Sequence, residues 1–271
     1  MVTQLMEQAG VIRIQGIRKV FNGHQVLAGI DLNLRACETL SVLGGSGVGK
    51  STLLKLIAGL AKPDRGQIFL FGQDIIPLSE RQMLPLRKRM GVVFQGAALF
   101  DSLTVFENIA FPLRLHTTAS EGEIRDRVAE TLEQVGMPGI QKQYPVELSG
   151  GMKKRVGIAR ALAMQPETVL FDEPTAGLDP QNGRMICDLI AQLHRDLCQT
   201  SVVVTHDLHC AFAISNQVAF LHSGKIIEVA SPEEFRNSAR PEVQAFLEGA
   251  FDRATTPRHS DWRFPWNRGV A

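Results

Sequence analysis

Residues 44–52, GGSGVGKST, limit the possible folds of this chain more than any other stretch. The apolar run TLSVLG leads into the glycines, and the helical pattern KSTLLKLIAGL follows them. Glycines between a strand and a helix let backbone N–H groups surround phosphates, and the helix N-terminus adds positive potential. In such a loop Lys50 reaches the β- and γ-phosphates of a nucleotide, and the Ser51 hydroxyl binds Mg²⁺. The residues predicted to bind the phosphates are Gly44, Gly45, Ser46, Gly47, Val48, Gly49, Lys50, Ser51 and Thr52.

Two adjacent acids follow a second apolar run, VLFDEP, at residues 169–174. A buried strand that ends in Asp172 and Glu173 places both carboxylates at the edge of the sheet where open α/β folds bind ligands. Asp172 is suited to Mg²⁺, and Glu173 is placed to polarise a water for attack on the γ-phosphate. The second acid therefore indicates hydrolysis, with water as the acceptor, and disfavours a kinase of small molecules.

The apolar pattern predicts an α/β core that is split by a helical insert. Fully apolar runs such as TSVVVTH alternate with helical segments, which is typical of a parallel sheet covered on both faces. Between residues 96 and 165 the spacing becomes helical, with Thr104 and Ser120 as N-caps. The predicted domain therefore spans residues 11–240, with the core at 11–95 and 166–240.

A second anion-binding pattern lies in the insert, where Ser149, Gly150 and Gly151 open a basic helix. One nucleotide could hardly touch both loops within a single chain. Two copies related by a twofold axis would solve this, because each ATP would lie on one chain's glycine loop and under the other chain's Ser149. The basic run Lys153–Arg155 that follows is expected to be a solvated helix face.

The order of these motifs resembles the ATP-binding-cassette (ABC) ATPases over residues 11–239. Beyond the two phosphate loops and the acids, the resemblance includes Gln95 in VVFQ, Asp179 in AGLDP and His206 in VVVTHD. It implies a P-loop NTPase core of the RecA type with an antiparallel β subdomain and an inserted α-helical subdomain. It also implies ATP and Mg²⁺ as cofactors.

The same resemblance implies individual roles. Gln95 would be a Mg²⁺ and water ligand, His206 would contact the γ-phosphate, and Asp179 would reach ATP across the dimer. The aromatic residue that stacks on adenine would be Phe21, where the family often has tyrosine. Met152 replaces the usual signature glutamine, so we expect affinity across the dimer to depend more on Ser149 and backbone amides.

Such a motor needs partners. The apolar runs are far shorter than the ~20 residues of a membrane span, and the formal net charge of +1 gives no reason to expect nucleic acid binding. An ABC protein acting on ribosomes would carry two cassettes or long charged inserts. This sequence shows neither, which favours a transporter motor with an integral membrane permease. The apolar stretch after Gln95 is the expected permease contact, through Leu99, Phe100 and Phe106, with packing in the core of the helical insert as the alternative.

Within the family, RKRMGVVFQGAALFDSLTVFENIAFPLR and LSGGM resemble the ATPases of phospholipid-trafficking Mla systems and their MCE-associated relatives. That resemblance implies an MCE-domain substrate-binding protein, a STAS-type regulator and phospholipid moving between inner and outer membranes. It places the chain at the cytoplasmic face of the inner membrane. A motor for a different substrate is the alternative.

Two further expectations concern the cysteines and the C-terminus. Cys37, Cys187, Cys198 and Cys210 have no CxxC-type spacing and are expected to be free thiols. Residues 241–271 are expected to form a tail in which Trp262, Phe264 and Trp266 pack on a neighbouring subunit, with folding back onto the same chain as the alternative.

Overall fold

A computed structural model describes residues 10–251 of the chain as two sheets, a helical insert and a C-terminal helix. The strands are β1 (Ile12–Phe21), β2 (His24–Leu34), β3 (Thr39–Leu43), β4 (Arg65–Leu70), β5 (Gln73–Asp74), β6 (Met90–Val93), β7 (Thr168–Asp172), β8 (Thr200–Val204), β9 (Gln217–His222) and β10 (Lys225–Ala230). The helices are α1 (Lys50–Ile57), α2 (Glu80–Arg87), α3 (Val105–His116), α4 (Glu121–Gln134), α5 (Gly150–Leu162), α6 (Pro180–Leu197), α7 (Leu208–Ile214), α8 (Pro232–Arg236) and α9 (Pro241–Phe251), with a 3-10 turn at Pro145–Glu147.

The larger sheet has the strand order β10-β9-β3-β8-β7-β6. Its strands from β9 to β6 are parallel, and β10 pairs with β9 in the antiparallel direction. Every residue of β3, β7 and β8 is buried, which explains their continuous apolar runs. Because parallel strands end at the same edge, the loops that follow β3, β6, β7 and β8 meet there.

The smaller sheet is antiparallel, with the order β2-β1-β4-β5. In β1 the side chains of Ile12 and Ile14 are buried and the residues on either side of Ile14 are exposed, as the twofold repeat of a strand requires. The apolar face of α1, with Leu53 and Leu56, lies in one cluster with residues of both sheets. Helix α1 therefore fixes the two sheets on either side of the glycine loop from which it begins.

The helical insert between β6 and β7 has a core of its own. Thr104 and Ser120 cap α3 and α4, as predicted, and each takes part in a capping box with the glutamate three residues later. Buried Ile109 and Val128, together with Val156 of α5, belong to a cluster that continues into the core of the larger sheet. The α/β architecture with a helical insert that the sequence predicts is therefore the one observed.

The structure differs from the expectation of a tail that begins at residue 241. Pro241–Phe251 forms helix α9, and its Val243 and Leu247 are buried in a cluster with Phe220 and Phe235. The spacing of four residues places Val243 and Leu247 on one helix face. The predicted contact of Trp262, Phe264 and Trp266 with a neighbouring subunit lies outside the described residues.

The cysteines also differ from expectation, because the structure pairs all four. Cys37 is bonded to Cys198, and Cys187 to Cys210. The first pair joins the turn before β3 to the end of α6, at the sheet edge opposite the glycine loop. Sequence spacing could not reveal this, because the pairs are separated by 161 and 23 residues. Among the described residues, no helix is long and apolar enough to cross a bilayer.

Candidate functional site

The glycine loop holds its own lysine. The Lys50 ammonium donates hydrogen bonds to the carbonyls of Gly44 (2.9 Å) and Gly45 (3.0 Å), and only 7% of the residue is exposed. Gly49 has φ 110°, and a Cβ at this position would lie 2.9 Å from Leu27 Cδ2. The turn into α1 therefore requires glycine for both its backbone conformation and its packing. The result is a buried cation at the N-terminus of a helix.

Oxygen ligands for a cation lie beside this loop. The Ser51 hydroxyl donates to Asp172 Oδ1 at 2.8 Å, which joins the first turn of α1 to the end of β7. Gln95, from the loop after β6, lines the cavity in front of them. A hydroxyl, a carboxylate and an amide are hard oxygen ligands of the kind that Mg²⁺ binds together with phosphates and water. The residues at this position therefore fit Mg²⁺.

Glu173 is the most constrained carboxylate of the site. Its Oε1 lies 3.4 Å from Lys50 Nζ, and its Oε2 accepts a hydrogen bond from the backbone N–H of His206 at 3.3 Å. The Oε2 atom is also 2.9 Å from Nδ1 of the same histidine. The backbone of Glu173 has φ 47°, in the left-handed region that a residue with a Cβ rarely adopts. Such strain persists only where surrounding contacts hold it, and it is concentrated at functional sites.

Lys50, Ser51, Gln95, Glu173 and His206 line one cavity of about 1050 Å³, and Asp172 is bonded to Ser51 without lining it. It is lined by Val26, Gly45, Ser46, Gly47, Gly49, Lys50, Ser51, Thr52, Gln95, Glu173, His206, Ala245, Phe246 and Gly249. Of the predicted nucleotide residues, Gly44 and Val48 belong to the loop without lining the cavity, and Phe21 lies outside the lining at the exposed end of β1. The three lining residues from α9 were not predicted, because that segment was expected to leave the domain.

The second predicted phosphate loop forms a separate surface. The Ser149 hydroxyl caps α5 by accepting from the backbone N–H of Met152 at 3.3 Å. A Cβ on Gly151 would lie 3.1 Å from the side-chain oxygen of Asn182, so the loop packs closely against the start of α6. Asp179 caps α6 by accepting from two backbone N–H groups. None of Ser149, Gly150, Gly151 and Asp179 lines the cavity of their own chain.

Two pKa shifts describe the charges around these loops. The backbone N–H of Asn182 is the main cause that lowers the pKa of Asp179, so this cap remains a carboxylate at neutral pH.

Burial lowers the pKa of Lys154, against the opposing effect of the negative charges of Glu173 and Asp172. Lys154 is 6% exposed, which corrects the expectation that the basic run after Ser149 is a solvated face. The helical repeat contains the signal, because Lys154 shares a face with buried Gly157 and Ile158.

The site combines a glycine loop with Lys50 and Ser51, an acid pair at the end of another parallel strand of the same sheet, and a histidine bonded to the second acid. Together with the helical insert, these features define a P-loop ATPase. Residues 27–176 match the family model described as ABC transporter. The chain belongs to the ABC transporter family of ATPases. The predicted family, fold class and ATPase activity are confirmed at this level.

Several known proteins are similar to most of the chain. The probable ribonucleotide transport ATP-binding protein mkl of Mycobacterium leprae is 38% identical over 244 residues, 90% of this chain and 70% of that protein. The methionine import ATP-binding protein MetN of Caulobacter vibrioides is 41% identical over 243 residues, 89% of this chain and 73% of that protein. The intermembrane phospholipid transport system ATP-binding protein MlaF of Haemophilus influenzae is 41% identical over 223 residues, 82% of this chain and 84% of that protein.

Among solved structures, the dimeric post-hydrolysis state of the ATP-binding cassette MJ0796, bound to ADP and Pi, is similar with a TM-score of 0.75. Its sequence is 31% identical, and the match covers 82% of this chain and 98% of that chain. The relatives named above therefore agree on an ATP-binding transport subunit and differ in the cargo that their names state.

Proposed function

We propose that this chain is the ATP-hydrolysing motor of an ABC transporter and that it works as a pair of identical chains with a membrane permease. The contact of Glu173 with both Lys50 and His206, beside the Ser51–Asp172 pair, is the observation that carries the proposal. It brings together a phosphate-binding cation, a carboxylate able to accept a proton from water, and oxygen ligands for Mg²⁺.

In this proposal the chain's own residues divide the chemistry of hydrolysis. Lys50 exchanges its bonds to the loop carbonyls for the β- and γ-phosphate oxygens of ATP. Ser51, Asp172 and Gln95 would hold Mg²⁺, which would neutralise charge on the phosphates. Glu173 orients the attacking water and accepts its proton, and His206 contacts the γ-phosphate from the next strand end.

A second copy of the chain would complete each nucleotide site. Support comes from the separation of the Ser149 loop from the cavity within one chain, together with the dimeric state of the similar cassette bound to ADP and Pi. In the proposed dimer, Ser149, Gly150, Gly151 and Asp179 of one chain face the ATP bound by the other. Phe21 would stack on the adenine from the exposed end of β1.

Replacement of the catalytic carboxylate tests this function. We expect Glu173→Gln to lower kcat by about 10²–10⁴-fold, because the amide cannot accept the proton of the attacking water. Nucleotide affinity should stay within a few-fold, since Lys50 and Ser51 remain. The matched control is Glu167→Gln, which alters a surface ion pair with Arg89 away from the cavity. Hydrolysis by the Glu173→Gln chain at the wild-type rate would contradict the proposal.

The surface for the permease is proposed on the helical insert. Phe100, Phe111 and Leu115 are exposed apolar side chains, and the first two rings lie 5.2 Å apart. Leu99 and Phe106 are partly buried against the insert core, so they would support this surface from below. An exposed group of this kind is suited to a helix of a membrane subunit. This would place the chain at the cytoplasmic face of the inner membrane.

For cargo we propose phospholipid moving between inner and outer membranes, with an MCE-domain substrate-binding protein and a STAS-type regulator as further partners. The motifs after Gln95 and the similarity to MlaF of Haemophilus influenzae support this. Similar identity to the methionine and ribonucleotide relatives keeps a different substrate as the second candidate. The test is to copurify the tagged chain with its permease and extract the bound lipid. We expect stoichiometric glycerophospholipid. A lipid-free complex that binds methionine or a ribonucleotide would contradict this cargo.

A further inference from the structure

Side chains of helix α5 donate hydrogen bonds to the loop that carries Gln95. Arg160 donates from Nη1 to the carbonyl of Ala98 at 2.7 Å and from Nη2 to the carbonyl of Ala97 at 2.9 Å. Lys154, six residues earlier, donates from Nζ to the carbonyl of Gln95. Lys154, Gly157 and Arg160 are each three residues apart, so they follow one another along adjacent turns of the helix. The helix that begins at the Ser149 loop is therefore bonded to three carbonyls of residues 95–98, here named the Gln95 loop.

The backbone of the Gln95 loop explains why it needs these bonds. Ala97 and Ala98 have φ 59° and 49°, two consecutive residues in the left-handed region. That conformation is unfavourable for residues with a Cβ and persists when neighbours hold it. Gly157 of α5 permits the close approach, because a Cβ on it would lie 3.2 Å from the Cβ of Ala97. The loop and the helix are therefore fitted to each other as one unit.

Lys154 extends this unit to the catalytic strand. The same Nζ that bonds to Gln95 also donates to the backbone carbonyl of Glu173 at 3.2 Å. That carbonyl belongs to a residue whose φ of 47° is itself left-handed. A buried ammonium needs acceptors, and here two of them come from different elements. One side chain thus connects α5, the Gln95 loop and the end of β7.

We propose that Lys154 is a positioning residue for ATP hydrolysis, which fixes the backbone of Glu173 relative to the Gln95 loop and the helix that carries the Ser149 loop. This inference rests on the role proposed above for Glu173. Lys154 itself contacts backbone carbonyls and acts through the residues that carry them. A displacement of the Ser149 loop or of the Gln95 loop would then move the carboxylate that activates water, so hydrolysis depends on how the insert is docked.

The same contacts predict which kinetic constant changes. The phosphates are bound by the glycine loop, and Lys154 is not among the residues that line the cavity. Its removal should therefore leave ground-state binding of ATP intact and misplace Glu173 in the transition state. A loss confined to kcat is the signature of an interaction that matters only in the transition state. A role in packing alone would not separate kcat from KM in this way.

The experiment measures steady-state ATP hydrolysis by the full chain carrying Lys154→Met, which keeps the length of the side chain and removes the donor. We expect kcat to fall about 30-fold with KM for ATP within about twofold, since small misplacements of catalytic groups cost up to ~100-fold. Lys154→Arg should recover kcat to within about threefold, because a guanidinium has donors for both carbonyls. Thermal unfolding of each variant is recorded in parallel.

The matched control is Lys62→Met. Lys62 also donates to two backbone carbonyls, those of Ile76 and Leu78, each at 3.2 Å, but in the antiparallel sheet region and away from the cavity. Its kcat should equal that of the wild type. If Lys154→Met fails to fold, Lys154→Gln, which retains one donor group, should fold and show an intermediate kcat.

Two results would overturn the inference. The first is a wild-type kcat in Lys154→Met, or in Lys154→Gln if Lys154→Met does not fold. The second is a rise in KM with kcat unchanged. The Glu173→Gln chain separates this from failure of the proposed function. If Glu173→Gln is inactive while Lys154→Met has full activity, the positioning role alone is wrong. If Glu173→Gln hydrolyses ATP normally, the catalytic role of Glu173 is wrong and the inference falls with it.

Discussion

A single lysine connects the glycine loop to the carboxylate of Glu173. Lys50 bonds to Gly44 and Gly45 and lies 3.4 Å from a carboxylate oxygen of Glu173. These contacts satisfy a buried cation, and in the proposed function phosphate oxygens would replace the carbonyl acceptors.

At the residue scale, much of the site followed from the sequence. Lys50, Ser51, Asp172, Glu173 and His206 all follow apolar runs, and parallel strands bring their ends to one edge. The burial of Lys154 was not predicted, because the basic run was interpreted as a whole and the helical repeat that places Lys154 on the face of Gly157 and Ile158 was not applied to it. The close approach of Gly157 to Ala97 was also not predicted, nor were the cavity-lining residues of α9. Both features depend on packing between segments far apart in the chain.

At the element scale, helix starts carry much of the local order. The caps at Thr104 and Ser120 were predictable, because serine or threonine followed three residues later by glutamate is a local signal. Helix α2 was missed, since Pro85 lies inside it and the helix has only eight residues. Helix α9 was taken for the start of a tail, although proline at the first position of a helix is favourable.

One capping box gives a pH-dependent prediction. The backbone N–H of Thr104 is the main cause that lowers the pKa of Glu107. A carboxylate with a depressed pKa adds stability above its unfolded pKa, and that stability is lost as pH falls through its folded pKa. We therefore expect Glu107→Gln to lower the free energy of unfolding at neutral pH.

The difference from the wild type should vanish below the folded pKa of Glu107, where both side chains are neutral. Denaturant unfolding of the two chains across the acid range measures this. Exposed Glu248, on α9, supplies the control as Glu248→Gln. A difference between wild type and Glu107→Gln that is constant over the whole range would show that the cap does not depend on charge.

At the scale of the whole molecule, the two predicted phosphate loops of one chain lie on separate surfaces. The cavity carries the glycine loop and Glu173, and the Ser149 loop lies elsewhere on the insert. The central claim is that two chains complete each other. The sequence suggested this pairing from two phosphate loops in one chain, but no sequence pattern specifies the geometry between chains.

Mixing two defective chains tests that claim most directly. Lys50→Ala removes the phosphate-binding cation, and Ser149→Arg blocks the loop offered to the partner, so each variant alone should be nearly inactive. In a mixed dimer, both defects fall on one site and the other site is intact. An equal mixture should therefore regain roughly a quarter of wild-type ATP hydrolysis, since half of the dimers are mixed and each has one working site. Full activity of the Ser149→Arg chain alone would contradict the account.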